Sequence, residues 1–239
     1  MKHHVYSVKL SVIYVGILGF FLLCAFGASH AVTVISENSV MQNRSCIIID
    51  AGHGGEDGGA TSCTGVLESE INLEISLRLN DLMHLLGINT KMIRKTDQSV
   101  YTQGQTIAQK KISDLKQRVS IANSTENAIV VSIHQNHFSD SRYAGAQIFY
   151  APTQMSKELA DALQNNLITS VNQGSNRRTK KAESVYLMQN IDCTGILVEC
   201  GFLSNPKEEA MLRSADYQKK LSCVIATTVV NFLDHRNIG

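Results

Sequence analysis

Ile47-Ile48-Ile49-Asp50-Ala51-Gly52-His53-Gly54-Gly55-Glu56-Asp57-Gly58-Gly59-Ala60 is the stretch that decides how this chain folds. Three isoleucines run into Asp50, and a histidine follows inside a glycine-rich turn. A short β-branched run bounded by glycines reads as a buried strand. The glycines permit a sharp turn and leave room beside the imidazole. A histidine so placed can meet a metal or a substrate. Taken alone, the segment also fits an ordinary strand-to-helix turn. Its company argues for more, because Glu68, His134 and Glu199 each stand at the edge of a comparable pattern.

Outward from that strand, read as 46–50, short β-branched runs alternate with longer helical stretches. A helix is predicted over 70–86, where Ile71, Ile75, Leu79, Leu82, Met83 and Leu86 share one face and Gly87 supplies a left-handed stop. A strand at 89–94 and a polar loop at 95–112 follow, then a helix capped by Ser113-Asp114 and running to Asn123. Further strands are predicted at 128–133, 146–150, 185–187 and 195–200. Helices are predicted at 156–171, from Pro206, and at 217–235. The alternation implies an α/β fold, a mixed and largely parallel twisted sheet flanked by helices on both faces. In such sheets the site lies beyond the carboxyl ends of the strands. His53, His134 and Glu199 all fall there.

Two imidazoles and a carboxylate, His53, His134 and Glu68, form a set suited to catalytic zinc, with a fourth position for water. Other divalent ions also take such ligands. The residues are far apart in sequence and no HExxH helix is present, so spacing proves little, and a lone histidine is more often structural. Glu199 lies in the apolar run Ile196-Leu197-Val198-Glu199-Cys200-Gly201-Phe202. A carboxylate there needs a reason, because burying its charge is costly. It is either bridged to a Lys or Arg of a neighbouring strand, or it is a general base beside the metal.

The 239 residues suffice for one domain with a full core, and a net charge of +1 with 44% hydrophobic content marks a globular chain. The single basic cluster, Arg177-Arg178-Thr179-Lys180-Lys181, reads as a solvated loop, so no nucleic-acid partner is expected. Lys2 and Lys9 precede an uncharged run at 10–28, long enough for a signal-peptide core or a short membrane anchor. Lysines on that side keep the end in the cytoplasm and send the remainder across. Ser29-His30-Ala31 offers a cleavage site, and retention as an anchor fits equally well. Residues 1–31 are therefore a signal peptide or membrane anchor, 32–44 a linker, and 45–239 an exported catalytic domain. Apart from Cys24, five scattered cysteines make no CxxC site; their odd number leaves at least one thiol free, and few or no disulfides are expected.

Four segments in order carry a family resemblance: Asp50-Ala51-Gly52-His53-Gly54-Gly55, Glu68-Ser69-Glu70-Ile71-Asn72-Leu73, Ser132-Ile133-His134-Gln135-Asn136 and Val198-Glu199-Cys200-Gly201-Phe202-Leu203-Ser204-Asn205. Through them the chain resembles the zinc-dependent N-acetylmuramoyl-L-alanine amidases of the type 3 family, over essentially 46–233. The resemblance implies that His53, Glu68 and His134 bind Zn2+ and that Glu199 is catalytic. In the family pattern the ligand stands four residues before the Asn-Leu pair, which selects Glu68 and leaves Glu70 as a helix-start carboxylate. Ala51 and Thr194 depart from prolines common in the family, affecting backbone stiffness more than chemistry. His137 is read as a surface histidine and Arg118 as a structural ion-pair partner. Asp57 and Asn136 are groups that either orient ligands or form turns.

The implied reaction is hydrolysis of the amide between N-acetylmuramic acid and L-alanine in peptidoglycan. The compact plan with an N-terminal membrane segment is similar to the spore-cortex members of the family, which help make the muramic-δ-lactam that marks cortex for degradation at germination. A vegetative cell-wall amidase is the alternative. A zinc carboxypeptidase or aminopeptidase and a non-catalytic peptidoglycan-binding regulator are the other classes weighed. Expected partners are the peptidoglycan substrate, an accessory or activator protein docking on 95–112, and the membrane if the N-terminal segment is uncleaved.

Overall fold

The computed structural model describes residues 45–237. The segments read as targeting sequence and linker lie outside the described residues. Among those described, no helix is long and apolar enough to cross a membrane. The strands are β1 (Cys46–Ala51), β2 (Thr90–Met92), β3 (Ala128–Asn136), β4 (Gln147–Tyr150), β5 (Lys180–Lys181) and β6 (Thr194–Phe202). The helices are α1 (Glu68–Leu85), α2 (Ile107–Asn123), α3 (Gln154–Ser170), α4 (Tyr186–Asn190), α5 (Pro206–Leu212) and α6 (Ala215–Asn237).

All six strands form one sheet in the order β2-β1-β3-β6-β4-β5. β2, β1, β3 and β6 run parallel, β4 is antiparallel to β6, and β5 is parallel to β4. This is the mixed, largely parallel sheet expected from the alternation of elements. Successive side chains alternate between its faces. One face carries Ile47, Ile49, Val131, Ile133, Ile148, Ile196 and Val198 into the larger core, under Ile71, Ile75 and Leu79 of α1, Leu159 and Leu163 of α3 and Leu221 and Ile225 of α6. Each such side chain, fully buried, stabilises the fold by about 2 kcal/mol. The opposite face carries Ile48, Val130, Phe149 and Leu197, covered by Ala122 of α2 and by Leu187 and Met188 of α4.

That thinner cover positions the site. Two residues on from Ile48, Val130 and Leu197, toward the strand carboxyl ends, the same face carries Asp50, Ser132 and Glu199. His134 follows Ser132 in step, and Gln147 precedes Phe149. The sheet therefore changes from apolar to polar along one face.

Three local readings are corrected. Helix α2 begins at Ile107 rather than at Ser113-Asp114, because Thr106 and Gln109 form a capping box. Ser113 and Asp114 instead hold the preceding loop, accepting from Thr102 N at 3.1 Å and Val100 N at 2.7 Å. The apolar residues at 185–187 belong to a short helix, α4, which turns Leu187 and Met188 together into the core. Finally, 177–181 is not wholly loop: Lys180–Lys181 pairs with β4, and its exposed charges guard a sheet edge.

Candidate active site

His53 follows β1 with φ of 59°, a left-handed conformation uncommon for a residue with a side chain. Its carbonyl accepts from Arg118 Nη2 at 2.8 Å, which helps hold the turn. Nδ1 lies 3.0 Å from Asp57 Oδ2, and Nε2 faces Glu68 Oε2 at 3.2 Å. Two glycines are needed here for space. A Cβ on Gly52 would overlap the His134 ring, and one on Gly59 would stand 2.6 Å from Glu68 Oε2. Gly59 also has a left-handed φ of 70°.

Glu68 opens α1, one residue beyond Leu67, which provides no side-chain cap. Its own carboxylate sits at the positive end of the helix, where an anion is favoured. It is ringed by donors: His134 Nδ1 at 2.9 Å, Ala60 N at 3.0 Å, Gln135 N at 3.1 Å, Asn72 Nδ2 at 3.2 Å, and His53. Burial opposes its charge, but hydrogen bonds from His134 and His53 outweigh it and hold the carboxyl far below the usual range. Burial likewise opposes protonation of His53, yet its bonds to Asp57 and Glu68 lift it to about 9.

His134 completes the group from β3, its ring 5.0 Å from that of His53 at 74°. Ligand atoms of His53, Glu68 and His134 lie within 4.8 Å of one another, the one His/Cys/Asp/Glu group among the described residues so arranged. Ligands about 2.0–2.2 Å from a zinc ion must stand about 3–4 Å apart, so this group fits a single ion with little movement. The donor set of two imidazoles and a carboxylate is also the right chemistry. Asp57 on the far nitrogen of His53 adds the outer hydrogen bond that orients a metal-binding histidine.

Glu199 behaves differently. In β6 it stands beside His134 of β3 on one side and Gln147 of β4 on the other. Its Oε2 is sealed from solvent and has no hydrogen-bond partner. Burial raises its pKa to about 7, with His134 opposing and the Glu68 charge adding to the rise. The cation bridge that one reading of the sequence allowed does not form among the described residues. Buried polar atoms are almost always paired, so an orphaned carboxylate oxygen beside the His53–Glu68–His134 group points to chemistry.

Beneath the site lies a buried charge network. Arg118 bonds Asp50, Asp114 and the Ala51 carbonyl, and Ser132 Oγ donates to Asp50 at 2.6 Å. Arg118 is thus the structural ion-pair partner expected. Sequence reasoning missed Arg94, which was placed only at the end of a strand. Its guanidinium donates to the carbonyls of Ala51, Gly52, Ser69 and Thr96. Asn72 was also missed as a functional group, though its spacing of one helical turn from Glu68 was a usable signal. Gln135 was missed too; it donates to Asn72 Oδ1 at 3.1 Å. Asn136 contributes through its carbonyl, which accepts from Leu203 N at 2.8 Å. His137 and Glu70 are exposed, as expected.

The family profile described as N-acetylmuramoyl-L-alanine amidase matches residues 47–231. The germination-specific N-acetylmuramoyl-L-alanine amidase of Bacillus subtilis (strain 168) is 33% identical over 196 residues, covering 80% of each chain. The N-acetylmuramoyl-L-alanine amidase LytC of the same organism is 30% identical, over 78% of this chain and 35% of its own. Among solved structures, the CwlD amidase from Clostridioides difficile in complex with the GerS lipoprotein matches with a TM-score of 0.77 and 37% identity, over 80% of this chain and 99% of that one.

Proposed function

The chain belongs to the N-acetylmuramoyl-L-alanine amidase family, and on that premise we propose that it is a zinc hydrolase of spore-cortex peptidoglycan. It cuts the amide between the lactyl group of N-acetylmuramic acid and L-alanine, toward muramic-δ-lactam. The observation that carries this reading is the unpartnered Oε2 of Glu199 beside the His53–Glu68–His134 group. The similarity to a germination-specific relative favours the cortex over a vegetative wall.

In this reading His53, Glu68 and His134 hold the metal. Zinc bound there supplies a Lewis acid for the scissile carbonyl and a charge that stabilises the developing oxyanion. Glu199 takes a proton from the attacking water and delivers it to the alanine nitrogen as the C–N bond breaks. Its apolar seat raises its pKa and the neighbouring His134 opposes the rise, which keeps the carboxyl able both to accept and to return a proton. Arg94, Arg118 and Asp57 keep the His53 turn in place. A two-metal peptidase would need a second ligand group, and the described residues offer only this one.

We place the catalytic part outside the cytoplasm, delivered by 1–31 through the linker 32–44, with 45–239 as the catalytic domain. Because a similar amidase was solved with a lipoprotein, we also assign this chain an accessory protein. The exposed Tyr101, Ile107 and Ile112, on the loop and first turns of α2, are its candidate docking residues.

The test incubates the protein with cortex and vegetative peptidoglycan, with and without its accessory protein, and reads the products by mass spectrometry. Free stem peptides beginning with L-alanine, abolished by chelation and restored by zinc, are the expected result. Release that survives chelation, or cuts elsewhere in the polymer, would overturn the reading.

A further inference from the structure

The basic run at 177–181 has no part in the chemistry above, yet its first residue bonds Gln147, the strand neighbour of Glu199. Residues directly opposite in neighbouring strands point to the same face of a sheet. His134 is opposite Glu199, and Glu199 is opposite Gln147, so these three form a row across β3, β6 and β4. Gln147 is buried, and its amide is divided between two arginines. Oε1 accepts from Arg177 Nη1 at 2.9 Å, and Nε2 donates to the Arg178 carbonyl at 2.8 Å. The row therefore continues His134, Glu199, Gln147, Arg177.

Arg177 is held in place more firmly than a surface arginine. Nε donates to the Ala144 carbonyl at 2.7 Å, and the guanidinium stacks over Phe202 at 4.6 Å from the ring centroid. Phe202 lies three residues beyond Glu199 on the same strand. Nevertheless no carboxylate pairs with Arg177 among the described residues. Glu208 senses its charge, but the two Glu208 oxygens are taken by the backbone amides of Gly145 and Phe202. Arg177 Nη2 takes part in none of these bonds. A half-buried guanidinium, oriented on three sides and lacking a counter-ion, is a receptor for an anion.

We propose that Arg177 binds a carboxylate of the stem peptide and so selects substrates that keep that group free. The proposal rests on the amidase reading for its choice of ligand. The peptide released by that cut begins with L-alanine and continues with residues carrying free carboxylates, which follow the scissile bond closely. Arginine meets a carboxylate with paired, charge-assisted bonds that an amide in the same position cannot reproduce.

The test uses the zinc-loaded full chain carrying Glu199→Gln, so that nothing is hydrolysed during titration. Calorimetry compares two γ-methylamides that differ only at the α-carboxyl: N-acetylmuramoyl-L-alanyl-D-glutamate γ-methylamide, whose α-carboxylate is free, and N-acetylmuramoyl-L-alanyl-D-isoglutamine γ-methylamide, which has no free carboxylate on the peptide. The free carboxylate is expected to bind about ten-fold more tightly. Adding Arg177→Ala removes that preference, and Arg177→Lys, which keeps the charge without the planar fork, keeps part of it. Equal affinity for both compounds before substitution would overturn the proposal. So would a preference that survives Arg177→Ala, or an equal weakening toward both compounds, which marks a structural role. Hydrolysis of the same compounds by the unsubstituted chain reports on the amidase reading separately. Discrimination without cleavage would reject the cut and keep the carboxylate site.

Discussion

The His53–Glu68–His134 group and Glu199 meet at one end of the same sheet but handle buried charge in opposite ways. Glu68 has five donors around it and His53 has an acidic partner on each nitrogen. Glu199, one strand from His134, has an oxygen with none. Saturating a group with hydrogen bonds fixes its charge and its position, which suits residues that must hold an ion. Leaving a carboxylate unpartnered in an apolar seat keeps its proton affinity near neutrality, which suits a residue that must exchange a proton. On the proposed reading, the first region holds the metal and the second reacts.

Substitution at Glu199 should separate the two most sharply. Glu199→Gln is expected to lower kcat by about a hundred- to ten-thousand-fold while the zinc content, measured by elemental analysis, stays the same. The next largest effect falls on the foundation of the holding region. Arg118→Met leaves Asp50 ionised and buried without its partner, at a cost of about 3–5 kcal/mol in urea unfolding. Pairing it with Asp50→Asn should recover part of that loss, because the two sites share one network.

The two carboxylates, Glu199 and Glu68, should also differ in the sign of their pH dependence in metal-free protein. Glu199 has a folded pKa of about 7, above its ordinary 4.5, so its contribution is present below pH 4.5 and is lost as pH rises through 7. The stability difference between the wild type and Glu199→Gln should fall over that window, by at most about 3 kcal/mol, and stay flat above it. Glu68 is depressed, so its contribution is present above its ordinary 4.5 and is lost only as pH falls well into the acid range. A difference curve that rises between pH 4.5 and 7 would break the comparison. The smallest effect concerns Asp57. Removing its bond to His53 Nδ1 in Asp57→Ala should weaken zinc binding about 10- to 100-fold in a chelator competition, without abolishing it.

Much of this site was legible in the sequence because its residues stand at pattern edges. Asp50-Ala51-Gly52-His53 ends an isoleucine run, Ser132-Ile133-His134 ends a valine-rich one, and Glu199 is the lone charge in its strand. The sheet was legible for the same reason, since buried parallel strands read as continuous apolar runs. What escaped was set by tertiary context. Nothing local distinguishes Arg94 from any strand-end arginine; its role exists only because four carbonyls converge on it. Residues 185–187 are too few to show a period, and only packing against the sheet selects a helix there. The capping box at Thr106 and Gln109 was visible in principle, but the polar character of 95–112 masked it.

The central claim is that holding the metal and moving the proton belong to different residues. Native mass spectrometry of Glu199→Gln, run beside an assay for peptides released with L-alanine at their start, tests it most directly. The account predicts one zinc per chain and no release above background. A variant that has lost its zinc, or one that keeps the zinc and still releases the peptide at the wild-type rate, would contradict it.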